Sequence, residues 1–261
     1  MLVRIDDIKI EDVSSVFTRD LVGLVDVRDY GAKGDGVTDD SAAFNAADNA
    51  ADGQTVMVPA GDYLLQDNVT MQSPVRFEGR IVQSPSYRFI LQRDYDYNAY
   101  LAAFQNEEIA FKKAFQALIN FADHESLDLC GRRVQLSEPV DMQAADPSRK
   151  RFETRRVIRN GQFEPADGAA WDTVQVSSQA TYSATDDNRL TNVVNAASIA
   201  VGSLVEGNGV GREIFVSAVN VGAQTIELSS PLFDAEGTQV FTFTRFQYML
   251  DFSGYEKLSQ F

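Results

Sequence analysis

Three carboxylates, Asp35, Asp39 and Asp40, lie close together in the stretch Lys33-Gly34-Asp35-Gly36-Val37-Thr38-Asp39-Asp40. Grouped acids of this kind can bind a metal ion or act as a paired acid and base on a sugar. The same residues have a plainer use. Gly31, Gly34 and Gly36 supply turn conformations that a Cβ resists, and Thr38, Asp39 and Asp40 offer oxygens to the first N–H groups of a helix. The turn-and-cap reading accounts for each acid by its position, so no catalytic residue and no metal ligand is assigned here. Asp186-Asp187, the other acidic pair of note, reads as a solvated turn.

The remaining reactive residue types are few. His124 is the single histidine and Cys130 the single cysteine. His124 follows a helical stretch, where a partly charged imidazole would suit the negative end of the dipole. Neither has a nucleophile-elbow or triad motif beside it, and Cys130 reads as a small core residue. Gly207-Asn208-Gly209-Val210-Gly211 has glycines at dinucleotide-loop spacing but no helix pattern after it, which excludes that use. Arg149, Lys150, Arg151, Arg155, Arg156 and Arg159 form one basic cluster, read as a solvated loop, with contact to an acidic neighbour or an anionic glycan as the functional alternative. Tyr95, Tyr97 and Tyr100 could stack on sugar rings; core or trimer packing fits them equally.

The elements that would position these residues follow from periodicity. Val25 and Val27 begin a strand. Ala43, Phe44 and Ala47 recur at helical spacing, and Asp52-Gly53 ends that helix. Thr55–Val58, Tyr63–Leu65 and Val69–Met71 are short β runs, followed by Val75–Gly79. The pattern then repeats at an offset of 71 residues, Met71 mapping to Met142 and Phe44 to Phe115. In the second copy Asn106 caps a helix with Glu107 and Glu108 in its first turn, and Phe111, Phe115, Leu118, Ile119 and Ala122 share one face. Gln92–Gln105 is read as a backward extension of that helix. The runs 127–129, 134–136 and 140–142 match the first copy, a polar loop spans Gln143–Arg156, and Val157–Gly161 is the last run. Units of this kind bury their faces by stacking.

Trp171–Val176 reads as a β run. From Thr181 to Arg245 helix signals give way to strands at 189–194, 203–206, 213–219, 224–229 and 239–244, which indicates a small all-β barrel or sandwich. The tail from Phe246 to Phe261 returns to the earlier pattern and stops in mid-pattern without a cap, so a longer chain or trimer contacts are expected to cover it. Ahead of everything, Val13, Val16, Phe17 and Leu21 have helical spacing and suggest a cap or an anchor. The expected divisions are 1–24 as cap or anchor, 25–91 and 92–176 as two helix-plus-rung units, 177–245 as an inserted β domain, and 246–261 as a return to rungs.

Lys+Arg is 23 against Asp+Glu 38, a formal net charge of −15, which disfavours nucleic acid and anionic membrane surfaces as partners. One cysteine excludes an intrachain disulfide framework. Acidic residues interrupt the first residues too early for a signal peptide, and no apolar run is long enough for a transmembrane helix, so membrane insertion is not expected. No motif calls for a cofactor.

Tyr30-Gly31-Ala32-Lys33-Gly34-Asp35-Gly36-Val37-Thr38-Asp39-Asp40, with Val56-Met57-Val58-Pro59-Ala60-Gly61-Asp62-Tyr63, closely resembles the N-terminal signature of the pectate-lyase superfamily, a group that includes phage tailspikes. The resemblance implies a mainly β chain, the N-terminal part of a right-handed parallel β-helix. Catalytic lyases and hydrolases of the group keep their acids on later rungs, and no matching motif occurs here. Val201–Gly207 through Ile226–Pro231 resembles small β modules of phage structural proteins. Tyr248–Leu258, with the paired units, looks like the head-spike fibre of bacterial gene transfer agents, which are phage-like particles. What these resemblances imply is a homotrimeric spike or fibre on the surface of a virion or phage-like particle, made in the bacterial cytoplasm and released by lysis. Its N-terminal segment would hold a capsid or tail protein, and it would contact bacterial surface (capsular) polysaccharide through residues the sequence does not single out. The alternative is a polysaccharide depolymerase, lyase or glycoside hydrolase, with catalytic rungs beyond residue 261.

Overall fold

The computed structural model describes residues 23–121 and 123–258. The expected N-terminal cap or anchor, with Val13, Val16, Phe17 and Leu21, lies outside these residues, as do Ala122 and 259–261. The chain divides into two compact units, Met1–Ala166 with Met249–Phe261, and Asp167–Tyr248.

The first unit opens with β1 (Leu24–Asp26), a 3-10 turn at Val27–Tyr30, β2 (Asp35–Asp39) and helix α1 (Ser41–Ala51). Strands β3 (Thr55–Val58), β4 (Asp62–Leu65), β5 (Val69–Met71), β6 (Val75–Phe77), β7 (Arg80–Gln83) and β8 (Phe89–Leu91) follow. Each pairs in parallel with a strand one coil away, giving the ladders β1-β3-β6, β2-β4-β7 and β5-β8. The registers Val56↔Val75, Tyr63↔Ile81 and Val69↔Phe89 put alternate apolar side chains inward. Phe44 from α1 meets Tyr63 edge to face at 5.6 Å, and both are fully buried.

Two helices then interrupt the ladders, α2 (Tyr97–Phe104) and α3 (Glu107–Asn120). The expected backward extension of α3 is instead a separate helix. Asp96 caps α2 through the Ala99 N–H at 2.8 Å, and Gln105 turns left-handed (φ 51°) before Asn106 caps α3 through the Ile109 N–H at 2.9 Å. A second set of coils follows: β9 (Ser126–Asp128), β10 (Arg133–Leu136), β11 (Val140–Asp141), the helical turn α4 (Met142–Ala145), β12 (Arg151–Phe152), β13 (Val157–Arg159) and β14 (Gln162–Pro165). The polar loop expected at Gln143–Arg156 thus holds part of α4 and a strand, because Met142, Ala145 and Phe152 are buried there.

The 71-residue offset reappears in the fold. Thr55 and Ser126, Asp62 and Arg133, and Val69 and Val140 each begin corresponding strands. The pairings correspond as well: Tyr63↔Ile81 with Val134↔Phe163, and Val69↔Phe89 with Val140↔Leu250. Where the first copy passes from β7 to β8 through Ser84–Arg88, the second leaves β14, runs through the whole second unit, and resumes its ladder beside β11.

The second unit begins with a 3-10 turn at Ala169–Trp171, and the strand expected at Trp171–Val176 starts at Val174. Its strands are β15 (Val174–Tyr182), β16 (Arg189–Thr191), β17 (Leu204–Glu206), β18 (Val216–Asn220), β19 (Thr225–Leu228) and β20 (Gly237–Arg245). All pairs are antiparallel, in the order β17-β20-β15-β16-β19-β18. The outer edges also meet. Leu204 bridges Phe215, and backbone bonds run from Val205 to Ile214 (2.8 Å) and from Val216 to Ser203 (2.9 Å). The sheet therefore closes into a small barrel without a free edge. Tyr182, Leu190, Ile226, Phe241 and Phe243 fill it. The chain then returns to the first unit as β21 (Leu250–Asp251), parallel to β11, and β22 (Lys257–Leu258), parallel to β12. The molecule is mainly β.

Candidate functional site

The three clustered acids come together, but each faces its own backbone. Asp35 accepts from the Thr38 N–H (2.7 Å), the Val37 N–H (2.9 Å) and the Thr38 hydroxyl (2.8 Å). These bonds, the Thr38 amide first, hold its carboxyl down at about 2. Asp39 accepts from the Ser41 hydroxyl at 2.6 Å, the Ser41 N–H and the Gln66 N–H, which keep it below the usual carboxylate range. Asp40, 1% exposed, takes the Lys33 and Gly34 amides at 2.7 and 3.1 Å. The expected helix cap at Asp40 is thus corrected. It occupies the N-cap position, but its carboxylate closes the glycine turn behind it.

The signature glycines and tyrosine form one lock. A Cβ on Gly34 would stand 2.8 Å from the Tyr63 ring, and one on Gly79 only 2.3 Å from the Pro59 carbonyl and 2.7 Å from the same ring. The ring fills the first coil because those positions have no side chain. Among the described residues its buried hydroxyl has no partner within hydrogen-bond distance, and the Arg28 guanidinium is the nearby charge that eases its burial.

The other sequence candidates are also engaged in structure. Tyr97 and Tyr100 are buried, and their hydroxyls donate to Glu107 O and Phe89 O at 3.2 and 3.0 Å. Tyr95 donates to Ala114 O at 2.8 Å. Of the two uses left open for these rings, the core is where they lie. His124 stacks on Tyr95 with 3.9 Å between centroids, and burial pushes its imidazole below the ordinary value. A charged imidazole at the helix end is therefore corrected to a neutral one packed on an aromatic ring. Cys130 is half-buried in a left-handed turn (φ 56°), its N–H on Asp128, while the neighbouring Leu129 occupies the core. Asp186 is exposed and pairs with Arg189 at 3.3 Å. The Gly207–Gly211 loop is fixed by Phe233 N–H to Val210 O and Asp234 N–H to Gly209 O.

The basic cluster is less uniform than a solvated loop. Arg156 is only 6% exposed; its Nε donates to Leu118 O at 2.9 Å, and its guanidinium lies over the Phe152 ring at 5.5 Å. It serves the carbonyl end of α3. Arg149 donates to Asn120 Oδ1, Arg151 meets Glu256 at 3.1 Å, and Arg159 meets Asp128 at 3.2 Å. Lys113 gave no signal beyond being a charge between Phe111 and Phe115. It is 4% exposed, and its Nζ donates to Gln83 Oε1, Ser84 O and Tyr87 O at 2.9, 2.7 and 2.5 Å. Burial pushes it down to about 7.

Among the open features of the first unit, a hollow of about 730 Å³ lies against β13, β14 and β21, lined by Val157, Ile158, Phe163, Leu250 and Phe252 together with Arg155, Arg156 and Arg159. Among the described residues each of these strands has a single ladder partner.

Residues 24–126 match the family model described as "Rhamnogalacturonase A/epimerase, pectate lyase-like". The match makes these residues similar to pectate-lyase-like domains over less than half of the chain. No curated protein matches the chain. Among solved structures, ORF18 of Geobacillus virus E2 aligns at 19% identity with a TM-score of 0.18; the match covers 60% of this chain and 25% of that one. The chain therefore aligns with about a quarter of that protein's length. No helix among the described residues is long and apolar enough to cross a membrane.

Proposed function

We propose that the chain is an adhesion module in a spike or fibre of a phage-like particle, built on a right-handed parallel β-helix and making non-catalytic contact with bacterial surface polysaccharide. The observation that carries this reading is the commitment of the signature acids. Asp35, Asp39 and Asp40 each accept at least two hydrogen bonds from nearby chain, so the most enzyme-like residues of the domain serve its architecture. The repeated parallel ladders support the β-helix, and the resemblance of Tyr30–Asp40 and Val56–Tyr63 to a signature shared with tailspikes supports the particle. Net charge −15 suits a neutral glycan or a protein neighbour better than a nucleic acid. Three copies in a homotrimer would multiply weak glycan contacts, with the segment before Gly23 attached to a capsid or tail protein and the coils at the particle surface. The resemblance of Tyr248–Leu258 to the head spike of gene transfer agents narrows the particle type.

The second reading, a depolymerase, is favoured by the description of the family model matched by residues 24–126. One experiment separates the two. The chain is incubated with purified capsular polysaccharide, binding is followed by affinity electrophoresis, and new reducing ends and unsaturated-uronate absorbance are monitored. Binding without new ends is expected. Turnover would replace the adhesion reading with the enzymatic one, and neither binding nor turnover would sink both.

A further inference from the structure

One turn of the second copy lacks the contacts that its counterpart has. In the first copy the turn between β4 and β5, Asp67-Asn68, is tied to the Ser84–Arg88 connection and its approach. The Gln83 carboxamide donates to Asp67 O at 2.9 Å and accepts from Lys113 Nζ at 2.9 Å, and the Arg88 N–H donates to Asn68 Oδ1 at 2.8 Å. At the offset of 71 residues the corresponding turn is Glu138-Pro139, between β10 and β11. There the chain leaves β14 for Asp167–Tyr248 instead of making a short connection. Among the described residues the exposed Glu138 carboxylate has no hydrogen-bond or ion-pair partner.

Glu138 and Pro139 line a hollow of about 380 Å³ with Pro85, Ile109 and Ala145. Ile109 is the one apolar side chain of α3 left open, at 45%. Both ammonium groups at the hollow are engaged. Lys112 Nζ meets Glu108 at 2.6 Å, and Lys113 Nζ donates to oxygens of Gln83, Ser84 and Tyr87. The hollow thus offers apolar walls and a free carboxylate, with no free cation among the described residues that line it.

We propose that this hollow binds the acetamido group of an N-acetylated hexosamine in a surface glycan. The inference rests on the polysaccharide contact proposed above and gives it a place and a sugar class. A methyl group is favoured in leaving water for Pro85, Ile109, Pro139 and Ala145, none of which has a side-chain hydrogen-bonding group. A hydroxyl placed against them would lose its water without replacement. The amide N–H beside that methyl supplies the donor that Glu138 lacks. An amide at this turn also repeats what the Gln83 carboxamide does at Asp67. A uronate or other anionic sugar would meet Glu138 and Asp141 with no free cation to offset them. The volume is near the lower end of the small-ligand range of about 300–1,000 Å³, which suits one pyranose ring.

The test is saturation-transfer difference NMR of the full chain with the methyl glycosides of N-acetylglucosamine and N-acetylgalactosamine, beside methyl glucoside and methyl galactoside. Glu138→Gln and Ala144→Trp are compared, with circular dichroism as the control for folding. Both positions are exposed, and Ala144 lines the hollow. At least one acetamido sugar is expected to bind, with the strongest saturation at its acetyl methyl, and the plain sugars to bind at least about tenfold more weakly. Glu138→Gln should weaken binding about tenfold, the effect of replacing a charged acceptor by a neutral one. Ala144→Trp should abolish binding by filling the hollow. Binding of neither acetamido sugar overturns the site. So does equal binding of the plain sugars, or binding untouched by Ala144→Trp. Affinity electrophoresis of the same samples in capsular polysaccharide keeps this inference apart from the reading it rests on. Retardation without acetamido-sugar binding removes the site and leaves adhesion standing. Acetamido-sugar binding that Ala144→Trp abolishes, without retardation, upholds the site and removes adhesion to that polysaccharide.

Discussion

The two copies of the helix-plus-strand unit solve one problem with different residues. In each, a strand end leaves a backbone N–H pointing at the start of a helix. In the first copy the Gln66 N–H is received by Asp39 and Ser41. In the second the equivalent Ser137 N–H is received by Glu108, which also takes the Ser137 hydroxyl at 2.7 Å, and Glu107 takes the Gln135 N–H at 2.7 Å. Burial works against the charge on Glu108, and the Lys112 ammonium and Ser137 outweigh it, leaving the carboxyl below its usual value. A job done by Asp39 in one copy is done by a helix-turn glutamate in the other. What the fold requires is an anionic acceptor at that point in space, and Asp39 is one way of supplying it.

The sharpest way to break this comparison is at the glycines both copies keep. A Cβ on Gly79 would lie 2.3 Å from Pro59 O, and one on Gly161 would lie 2.4 Å from Leu129 Cβ. Gly79→Ala and Gly161→Ala should each destabilise the first unit by about 3 kcal/mol in urea unfolding. A large loss at one position alone would show that the copies are not packed alike.

Lys113 marks a difference between the copies, because it fastens the Ser84–Arg88 connection whose counterpart is the inserted barrel. Lys113→Met strands three oxygens in a buried site and should cost about 2 kcal/mol, with faster proteolysis after Tyr87 or Arg88 as the readout. Its folded value, pushed down to about 7, lies below the unfolded one. The fold therefore disfavours the ammonium, and stability should rise as pH climbs from about 7 towards the ordinary lysine value.

The acceptors should behave alike in kind. Glu108→Gln weakens bonds to an exposed strand end and should cost about 1 kcal/mol or less once solvent screening is allowed for. Asp39→Asn should act in the same direction. In acid, carboxyls with depressed values stabilise the fold above their unfolded value and lose that effect as pH falls through the folded one. The Thr38 amide resonance, reporting Asp35, should accordingly titrate near pH 2. A midpoint near 3.8, the value of a free aspartate, would show the turn open in solution.

The smallest effect is expected from excision. Replacing Asp167–Tyr248 by a connection like Ser84–Arg88 should leave the first unit with one cooperative transition at nearly its original midpoint, since loop length enters stability only logarithmically. Loss of that transition would mean that the barrel supports the coils.

Much of this was legible in the chain itself. Short apolar runs separated by turns gave β3 to β6 and β9 to β11, because a strand's side chains alternate whatever lies beside it. The repeat was legible because backbone spacing survives when residue identity does not. Asn106 announced its helix, since a cap is a local bond. The break at Gln105 was not announced, and neither was the length of β15, whose nine residues pair along Gly237–Arg245. Both depend on distant partners.

The acids show where sequence and tertiary structure divide. Sequence alone determined that Asp35, Asp39 and Asp40 lie between glycine turns and the start of a helix, because φ preference and capping are local physics; that Asp35–Asp39 is a strand was not announced. Which N–H each carboxylate would accept was decided by tertiary structure, since Asp40 turned back to Lys33 and Gly34 while Asp39 reached Gln66 across the ladder. Tertiary structure also decided that Glu108 would stand in for Asp39, that Arg156 would be buried against the end of α3, and that Phe163, Leu250 and Phe252 would line one hollow. Each of these outcomes rests on groups far apart in the chain, and only folding sets the distance between them.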